Sequence, residues 1–404
     1  MIRREAMTTD SILEAEARYI VQTYKRAPVV FTHGEGVNLF DQAGKRYLDF
    51  ASGIAVIALG HSNPLWMEAI TEQIGLLTHV SNLFHTVPHV ELARALVENS
   101  FADRVFFSNS GAEANEAAFK FARRWAERRH GQGRTEVVAF TGGFHGRTMG
   151  ALSLTHKDKY RHPFQPLIPG VSFTPFNDLE AAGQVISDRT CAVFVEPIQG
   201  EGGVHAANPG FLKGLRQLCD MHGALLVFDE VQCGLGRTGE LWAHQAYGVT
   251  PDLMTLAKPL AGGLPIGVTL MTEAVGAEIS AGDHGSTFGA GPLVCSAALA
   301  VFKQINHPAL LTGVAAKGET LRDGLLALPT DNLVEVRGAG LLIGVEFNHP
   351  VEPIIGAALE RGLIVISAGE NVLRICPPLT IDDAEIMAGL DILSECMTAI
   401  KQAA

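Results

Sequence analysis

Short runs of apolar residues recur along the middle of the chain, and a stretch with the spacing of an amphipathic helix separates each run from the next. Five runs predict buried strands, at Val105–Phe107, Val137–Phe140, Ala192–Val195, Ala224–Phe228 and Leu253–Leu256. Because their hydrophobicity is continuous rather than alternating, we expect helices on both faces of the sheet. Alternating strands and helices predict an α/β fold with a mostly parallel sheet, which binds ligands at the carboxyl ends of its strands.

The two ends of the chain show a different pattern. Val37–Phe40 and Arg46–Phe50 alternate polar and apolar residues, which indicates short strands. After residue 296, helical stretches alternate with strands such as Leu341–Val345. We expect residues 1–58 and 296–404 to form a smaller flanking domain, and residues 59–295 to form the large one.

Composition excludes several classes of function. The 404 residues are 47% apolar, which is enough for a large core, and their formal net charge of -12 argues against binding nucleic acid or an anionic membrane. The six cysteines lack metal-binding spacing and are expected to be reduced thiols of a cytoplasmic protein. The first 24 residues match neither a signal nor a transit peptide, and no apolar run is long enough to span a membrane.

Lys258 is the first candidate for chemistry. It ends the apolar run Leu253–Ala257 and is followed by Pro259 and a pair of glycines. An amine at the end of a buried strand is desolvated, which lowers its pKa and makes it a better nucleophile, as a Schiff-base lysine must be. The alternative is an ordinary lysine that extends its charge into solvent.

A phosphate site is the second candidate. Ser110 and Glu113 follow the strand at Val105–Phe107 and have the spacing of a capping box at a helix start. Free amides there, with Gly111 allowing close approach, are suited to a phosphate. The alternative is an ordinary capped helix.

A carboxylate ends another strand. Asp229 and Glu230 follow Ala224–Phe228, so we expect them at the same sheet edge as Lys258. Asp229 could hold a protonated ring nitrogen, or it could bind magnesium as a Walker-B acid. The second reading requires a phosphate loop with Lys-Ser or Lys-Thr after glycine, which the chain lacks. Gly234–Gly239 matches the dinucleotide fingerprint, but it begins several residues beyond the strand, so a nicotinamide site is disfavoured.

Phe144 and Arg147 lie close together after a further strand. The ring is suited to stacking on a flat heterocycle, and the guanidinium is suited to bidentate binding of a carboxylate. In the alternative, Phe144 packs in the core and Arg147 pairs with a surface acid.

These motifs, in this order, resemble those of the class III aminotransferases, which are pyridoxal-phosphate enzymes of fold type I. The resemblance covers nearly the whole chain and rests on Ser110–Asn115, Phe144–Thr148, Glu196–Gly203, Phe228–Gln232, the segment around Lys258, and His284–Phe288. Within the class, three further stretches resemble acetylornithine aminotransferases, at Thr23–Val29, Tyr47–Phe50 and Ala368–Arg374.

The resemblance implies a large domain with a mostly parallel seven-stranded sheet, a smaller α+β domain, and pyridoxal 5'-phosphate as cofactor. Lys258 would form the Schiff base and carry the proton, while Asp229 would pair with the ring nitrogen. The other implied cofactor contacts are Ser110, Gly111 and Ala112 at the phosphate, Phe144 and Val231 on the two ring faces, and Gln232 at the phenolic oxygen. Thr287 would bind the phosphate of a neighbouring subunit, which implies a homodimer with sites at its interface.

The resemblance also implies the substrates. Arg147, with Ser286 beside it, would bind the α-carboxylate of N-acetylornithine, and Arg374 would bind 2-oxoglutarate. Glu196 would occupy Arg374 in one half-reaction and move away in the other. The expected activity is transfer of the δ-amino group of N2-acetyl-L-ornithine to 2-oxoglutarate, in arginine biosynthesis.

Several alternatives stay open. Another ω-amine could be the donor, namely succinylornithine, N-succinyl-diaminopimelate, ornithine or 4-aminobutyrate. Ile57 stands where relatives commonly have a polar residue, and this leaves the acyl group of the donor open. More distant alternatives are a non-transaminating pyridoxal-phosphate enzyme of the same fold and a non-catalytic module that senses a metabolite.

Overall fold

The computed structural model describes residues 7–403. Arg3, Arg4 and Glu5, which entered the prediction about a targeting peptide, lie outside this range. The β-strands are β1 (Phe31–Glu35), β2 (Asn38–Asp41), β3 (Arg46–Asp49), β4 (Arg104–Ser108), β5 (Glu136–Phe140), β6 (Val171–Thr174), β7 (Thr190–Val195), β8 (Ile198–Gln199), β9 (His205–Ala206), β10 (Leu225–Asp229), β11 (Leu253–Leu256), β12 (Gly267–Met271), β13 (Leu333–Ala339), β14 (Leu342–Phe347), β15 (Leu363–Ile364), β16 (Ile366–Ser367) and β17 (Val372–Ile375).

Helices fill most of the sequence between the strands. The α-helices are α1 (Thr9–Tyr19), α2 (Ser52–Ala55), α3 (Pro64–Leu76), α4 (Val87–Glu98), α5 (Gly111–His130), α6 (Met149–Leu154), α7 (Asp158–Arg161), α8 (Leu179–Val185), α9 (Pro209–His222), α10 (Glu273–Gly276), α11 (Pro292–Ile305), α12 (Pro308–Leu326), α13 (Glu352–Glu360) and α14 (Asp383–Ala403). Among the described residues, none of these helices combines the length and the apolar character needed to cross a membrane.

The central sheet has seven strands in the order β4-β12-β11-β10-β7-β5-β6. Strands β11, β10, β7, β5 and β6 run parallel to one another, whereas β12 is antiparallel to both β11 and β4. The predicted fold class is therefore confirmed. All five predicted strands of this sheet are present within one or two residues, and β6 and β12 are additional.

Burial on both faces explains the continuous apolar runs. Every residue of β7, β10 and β11 is buried. Side chains that alternate along β7 and β10 point to opposite faces of the sheet. One set packs with α5 and comprises Ala192, Phe194, Leu225, Val227, Ala118 and Phe121. The other set packs with α9 and comprises Val193, Val195, Leu226, Phe228, Phe211 and Leu215.

Two four-stranded sheets flank the central one, with the strand orders β1-β2-β3-β15 and β13-β14-β17-β16. In the first sheet, β15 from the C-terminal part pairs in parallel with β3 from the N-terminal part, with Leu363 opposite Leu48. The two ends of the chain thus share one sheet. The domain boundaries at residues 58 and 295 stay a prediction.

Phe50 joins these two ends of the chain. Its amide donates to the carbonyl of Ile364 at 2.9 Å, and its carbonyl accepts from the amide of Cys376 at 2.8 Å. The ring is fully buried and contacts Gly389 of α14 so closely that any side chain at that position would overlap it. All six cysteines are buried, and none forms a disulfide.

We expect Phe50→Ala to lower the free energy of unfolding by about 3–5 kcal/mol, because it removes a buried ring and leaves a cavity between the two chain ends. Urea unfolding followed by circular dichroism measures the change. Phe164→Ala is the matched control, because Phe164 is 55% exposed and its loss should cost less than about 1 kcal/mol. Equal losses for the two variants would contradict this account of the packing.

Candidate active site

The register of β10 and β11 brings the predicted chemistry to one edge of the central sheet. The two strands are parallel, with Asp229 opposite Thr255, so Lys258 follows β11 close to the end of β10. Lys258 is partly buried, whereas Asp229 is only 4% exposed. Burial lowers the pKa of the Lys258 amine, and so does the charge of Arg374, while Glu201, Asp229 and Glu196 oppose the change. The Asp229 carboxylate and the Lys258 amine therefore lie at the same edge of the sheet.

Asp229 is held by a network that the sequence did not reveal. Its Oδ2 accepts from Nδ2 of Asn115 at 2.7 Å and lies 2.8 Å from Nδ1 of His145, and its Oδ1 accepts from the amide of Val231 at 3.0 Å. Asn115 also donates to the carbonyl of His145, and its Oδ1 accepts from the hydroxyl of Thr255 at 2.9 Å. Burial lowers the pKa of His145, but the hydrogen bond to Asp229 and the charges of Asp229 and Glu196 together outweigh this effect, so the pKa rises.

The start of α5 has the features of an anion site. Ser110 is the N-cap and its hydroxyl accepts from the amide of Glu113 at 3.1 Å, as a capping box requires. The Glu113 carboxylate accepts from the amide of Asn109, one residue before the position that the capping box predicts. The amides of Gly111 and Ala112 have no acceptor within the helix, because they lie in its first turn.

The residues around the start of α5 are suited to holding a flat ring with a phosphate. A Cβ on Gly111 would lie 2.7 Å from Cγ1 of Val231, so only glycine lets the helix start approach Val231 this closely. Phe144 is partly buried and lines an open cavity of about 670 Å³. A ring between Val231 and Phe144 would have Asp229 available at its edge. The residues present thus fit the predicted cofactor.

The two predicted substrate arginines are in different states. Arg147 is exposed, and its guanidinium lies 3.6 Å from the ring centre of Tyr160 and 5.6 Å from that of Phe144. Arg374 is only 2% exposed, and its Nη1 donates to Oε1 of Glu201 at 2.6 Å and to Oε1 of Gln232 at 2.9 Å. Burial raises the pKa of Glu201, but Arg374 and Lys258 outweigh it, so the pKa falls.

The prediction that Glu196 occupies Arg374 is wrong, because Glu201 lies there. Glu196 directly follows β7, and its Oε2 accepts from the amide of Phe144 at 3.1 Å. Both glutamates belong to the motif Glu196–Gly203, and the residues between them include the short strand β8. The spacing within the motif could not decide which carboxylate faces the arginine.

Ser286 and Thr287 lie on the other side of the helix start. The hydroxyl of Ser286 accepts from Nδ2 of Asn109 at 3.1 Å, so it is close to the predicted phosphate site. Thr287 is exposed and borders a shallow groove with His79 and Asn82. Ile57 does not line the cavity at Phe144; it borders a separate pocket beside Trp66.

Two other sequence patterns have structural explanations. Glu230 is buried, and its carboxylate accepts hydrogen bonds from the amides of Ala243 and His244 at 2.7 and 2.8 Å. It therefore stabilises the segment at Ala243 and His244 and does not line the cavity at Phe144. Gly234–Gly239 lies in turns after β10 and is followed by a short 3-10 helix at Ala243–Tyr247, so it does not form the strand-to-helix turn of a dinucleotide site.

Comparison with known proteins identifies the family. The model of the family described as "Aminotransferase class-III" matches residues 19–397. The chain belongs to this family. Its members use pyridoxal phosphate, so the predicted enzyme class and cofactor are confirmed.

Individual relatives agree with this assignment. The chain is 54% identical to "Acetylornithine aminotransferase, mitochondrial" of Alnus glutinosa, over 96% of this chain and 88% of that protein. It is 47% identical to "Succinylornithine transaminase/acetylornithine aminotransferase" of Pseudomonas aeruginosa, over 93% and 94%. A structure of ornithine aminotransferase from Toxoplasma gondii, with partial occupancy of PLP at its active site, has a TM-score of 0.94 at 31% identity, and the match covers 98% of this chain and 95% of that one.

We expect Asn115→Leu to weaken binding of pyridoxal phosphate about tenfold, because the Asp229 carboxylate loses a charge-assisted hydrogen bond that helps to hold it in place. Equilibrium dialysis of the cofactor measures the effect. Thr255→Val removes only a partner of Asn115 and should weaken binding less. An unchanged dissociation constant in Asn115→Leu would exclude a role for this network in cofactor binding.

Proposed function

We propose that this protein transfers the δ-amino group of N2-acetyl-L-ornithine to 2-oxoglutarate with pyridoxal 5'-phosphate, as a step of arginine biosynthesis. The observation that carries the proposal is the combination of one partly buried lysine with two arginines in different states, one exposed and one paired. Such an arrangement is suited to two substrates that each carry a carboxylate and that react in turn at the same lysine. The similarity to the Alnus glutinosa protein supports the choice of donor.

The cofactor, when bound, supplies an electrophilic carbon and an electron-accepting ring. Lys258 would bind it covalently through Nζ and then move the proton, as base and acid in turn. The lowered pKa of Lys258 favours the neutral amine that covalent binding and the base step need. Asp229 would accept a hydrogen bond from the ring nitrogen and keep it protonated. Phe144 and Val231 would hold the ring from its two sides.

The remaining contacts complete the cofactor site. The hydroxyl of Ser110 and the amides of Gly111 and Ala112 would bind the phosphate, where the helix dipole of α5 favours negative charge. Gln232 would donate to the phenolic oxygen, since its Nε2 otherwise faces only Glu201, at 3.3 Å.

The arginines would divide the substrates between them. Arg147 is stacked and has no carboxylate within ion-pair distance among residues 7–403, so it is free to bind the α-carboxylate of the donor, with Ser286 nearby. Arg374 can bind a substrate carboxylate only when Glu201 leaves it, because the two side chains are 2.6 Å apart. A donor without a carboxylate for Arg374 leaves that pair closed, whereas 2-oxoglutarate would open it.

We also propose a homodimer in the cytoplasm. A groove of about 690 Å³ with an apolar floor lies between α3, α4 and α11. Its lining includes Leu65, Leu76 and Val87, which are 55%, 71% and 69% exposed. Apolar surface of this kind favours contact with a second subunit. Thr287 is exposed beside Phe288, which is 67% exposed, so it is accessible for the predicted contact with a partner's phosphate.

A second donor class is supported by the cavity at Phe144. Lys157 and Lys159 line it together with Tyr160, with their amines 6.0 and 5.3 Å from the centre of the Tyr160 ring. Neither lysine has an acidic partner within 4.0 Å in the described chain. With Arg147 on the donor's α-carboxylate, these two cations could bind a second carboxylate on the acyl group. N-succinylornithine has this carboxylate and N-acetylornithine lacks it.

We expect N-acetylornithine to bleach the visible absorbance of the bound cofactor, and subsequent 2-oxoglutarate to restore it with formation of glutamate. Lys258→Ala should lose turnover by roughly 10⁴-fold or more, because it removes both the base and the covalent link. Mass spectrometry after borohydride reduction shows whether Lys258 carries the cofactor. Failure of wild-type protein to bind pyridoxal phosphate, or full turnover by Lys258→Ala, would refute the proposal.

We expect the double variant Lys157→Gln and Lys159→Gln to lower kcat/KM for N-succinylornithine about fivefold to tenfold, with little change for N-acetylornithine. Steady-state kinetics with both donors measures the ratio. Lys213→Gln is the control, because Lys213 is exposed on α9 and does not line the cavity. An equal loss for both donors would show that the lysines do not recognise the acyl group.

A further inference from the structure

A row of three opposite residues crosses the flanking sheet β13-β14-β17-β16. Arg337 on β13 lies opposite Gly344 on β14, and Gly344 lies opposite Arg374 on β17. Residues that lie directly opposite each other on antiparallel strands point to the same face of a sheet. Both arginine side chains therefore lie on one face, and the glycine between them leaves that face open.

The turn at residues 200–204, which we call the gate turn, is bound by both arginines. It carries the glutamate that pairs with Arg374. Nη1 of Arg374 donates to the carbonyl of Gly200 at 3.2 Å, and Nε of Arg337 donates to the carbonyl of Gly203 at 2.8 Å. One arginine thus binds the backbone before the glutamate, and the other binds the backbone after it.

The glycine in the row lets the gate turn approach the sheet. A Cβ on Gly344 would lie 2.9 Å from Cβ of Val204 and 3.1 Å from the carbonyl oxygen of Gly203. Val204 is fully buried. Any side chain at position 344 would therefore push the turn away from the two arginines.

The backbone of the gate turn is strained where it meets the sheet. Gly203 has a φ of 110° and Val204 has a φ of 57°. A β-branched residue rarely adopts a positive φ, because its side chain crowds the backbone there. Such a conformation persists only where surrounding contacts hold it. The contacts at this point are the hydrogen bond from Arg337 and the packing on Gly344.

Arg337 is itself held in place and lies outside the substrate cavity. Its side chain is 10% exposed, and its Nη1 donates to Oε2 of Glu335 at 2.7 Å and also to Oε2 of Glu346. It does not line the cavity at Phe144. Its contact with the site therefore runs through the gate turn.

We propose that Arg337 is a positioning residue for the gate formed by Glu201 and Arg374: its hydrogen bond to Gly203 keeps the gate turn in the strained conformation in which Glu201 reaches Arg374. The proposal rests on the proposed function for the role of this gate. Without the hydrogen bond the turn relaxes, so Arg374 is free to bind a dicarboxylate in a larger fraction of the molecules. Arg337 touches neither cofactor nor substrate in this scheme.

The first test is the binding of glutarate to the holoenzyme, measured by isothermal titration calorimetry. Glutarate has two carboxylates but no amine or keto group, so it binds without reacting. Its binding to Arg374 must displace Glu201, which lies 2.6 Å away. We expect Arg337→Gln to lower the dissociation constant of glutarate about threefold to tenfold, because less of the binding free energy is spent on opening the gate.

Gly344→Ala is a second variant that keeps Arg337. Its Cβ would displace the gate turn from the opposite side, so it should tighten glutarate binding as well. Arg361→Gln is the matched control, because Arg361 is exposed on the far side of α13 from the site cavity and its guanidinium bonds the carbonyl of Ala357. It should leave the dissociation constant unchanged.

The second test separates positioning from a general loss of structure. Arg337→Gln should raise kcat/KM for glutamate, which has two carboxylates, about threefold to tenfold, and should change that for N-acetylornithine less than about twofold. The absorbance of the bound cofactor after rapid mixing measures both half-reactions. Adding Arg337→Gln to Glu201→Gln should give no further gain, because the gate is already open in Glu201→Gln.

An unchanged or weaker affinity for glutarate in folded Arg337→Gln would overturn the proposal, and so would a further gain in the double variant. If Arg337→Gln does not fold, Gly344→Ala decides in the same way. Equal losses of kcat/KM for glutamate and N-acetylornithine would show a structural role only and would also overturn it. Wild-type protein without turnover would refute the proposed function instead, and glutarate binding would still test the gate.

Discussion

The parallel pairing of β10 with β11 is the constraint on which the site depends. It sets Asp229 opposite Thr255 and brings the carboxylate and the Lys258 amine to one edge of the central sheet. A shift of the register by one residue would turn Asp229 away from Asn115 of α5 and toward the face covered by α9, because neighbouring side chains on a strand point to opposite faces. The apolar residues of β10, which are buried on both faces, resist such a shift. The packing of the core therefore fixes the positions of Asp229 and Lys258 relative to each other.

Burial at this edge makes the polar groups depend on one another. Asp229 is almost fully buried, yet each of its oxygens has a hydrogen-bond partner. Asn115 comes from α5 and His145 from the segment after β5, so three separate parts of the chain meet at one carboxylate. An unpaired charge at this depth would be costly, and this requirement explains why the partners are themselves held, Asn115 by the hydroxyl of Thr255 and His145 through its amide by the hydroxyl of Thr155.

The sequence predicted those features that depend on local pattern. Continuous apolar runs located five of the seven central strands, and strand ends and a helix cap located Lys258, Asp229 and Ser110. It missed β12 because Gly267–Met271 closely follows β11 and its antiparallel direction leaves no helix between the two strands. Contacts between segments that are far apart in the sequence could not be predicted from local patterns either.

The contacts that were missed share one cause. Asn115 bonds Asp229 across 114 positions of sequence, and Tyr160 approaches Arg147 from a short helix whose pattern gave no functional signal. The sequence predicted Glu196 at Arg374, where the structure has Glu201, for the same reason. Both carboxylates lie in one motif, and only the fold shows which of them lies beside the arginine. Types of residue and their order can identify a family, but the pairing of charges requires the fold.

The chain is acidic as a whole, yet the site has groups that can attract anions at close range. A protein with a net charge of -12 gives no general attraction to anionic substrates, so any attraction has to be built at close range. The start of α5 offers backbone amides, Arg147 lies over the Tyr160 ring and has no acidic partner among the described residues, and Arg374 is buried with its charge balanced by Glu201.

Pairing with Glu201 stabilises the buried cation of Arg374, because its charge is then compensated when no substrate is bound. The exposed arginine needs no such partner, since water solvates it. Depth below the surface, more than residue type, thus decides which arginine is available at once and which becomes available only when a carboxylate replaces Glu201.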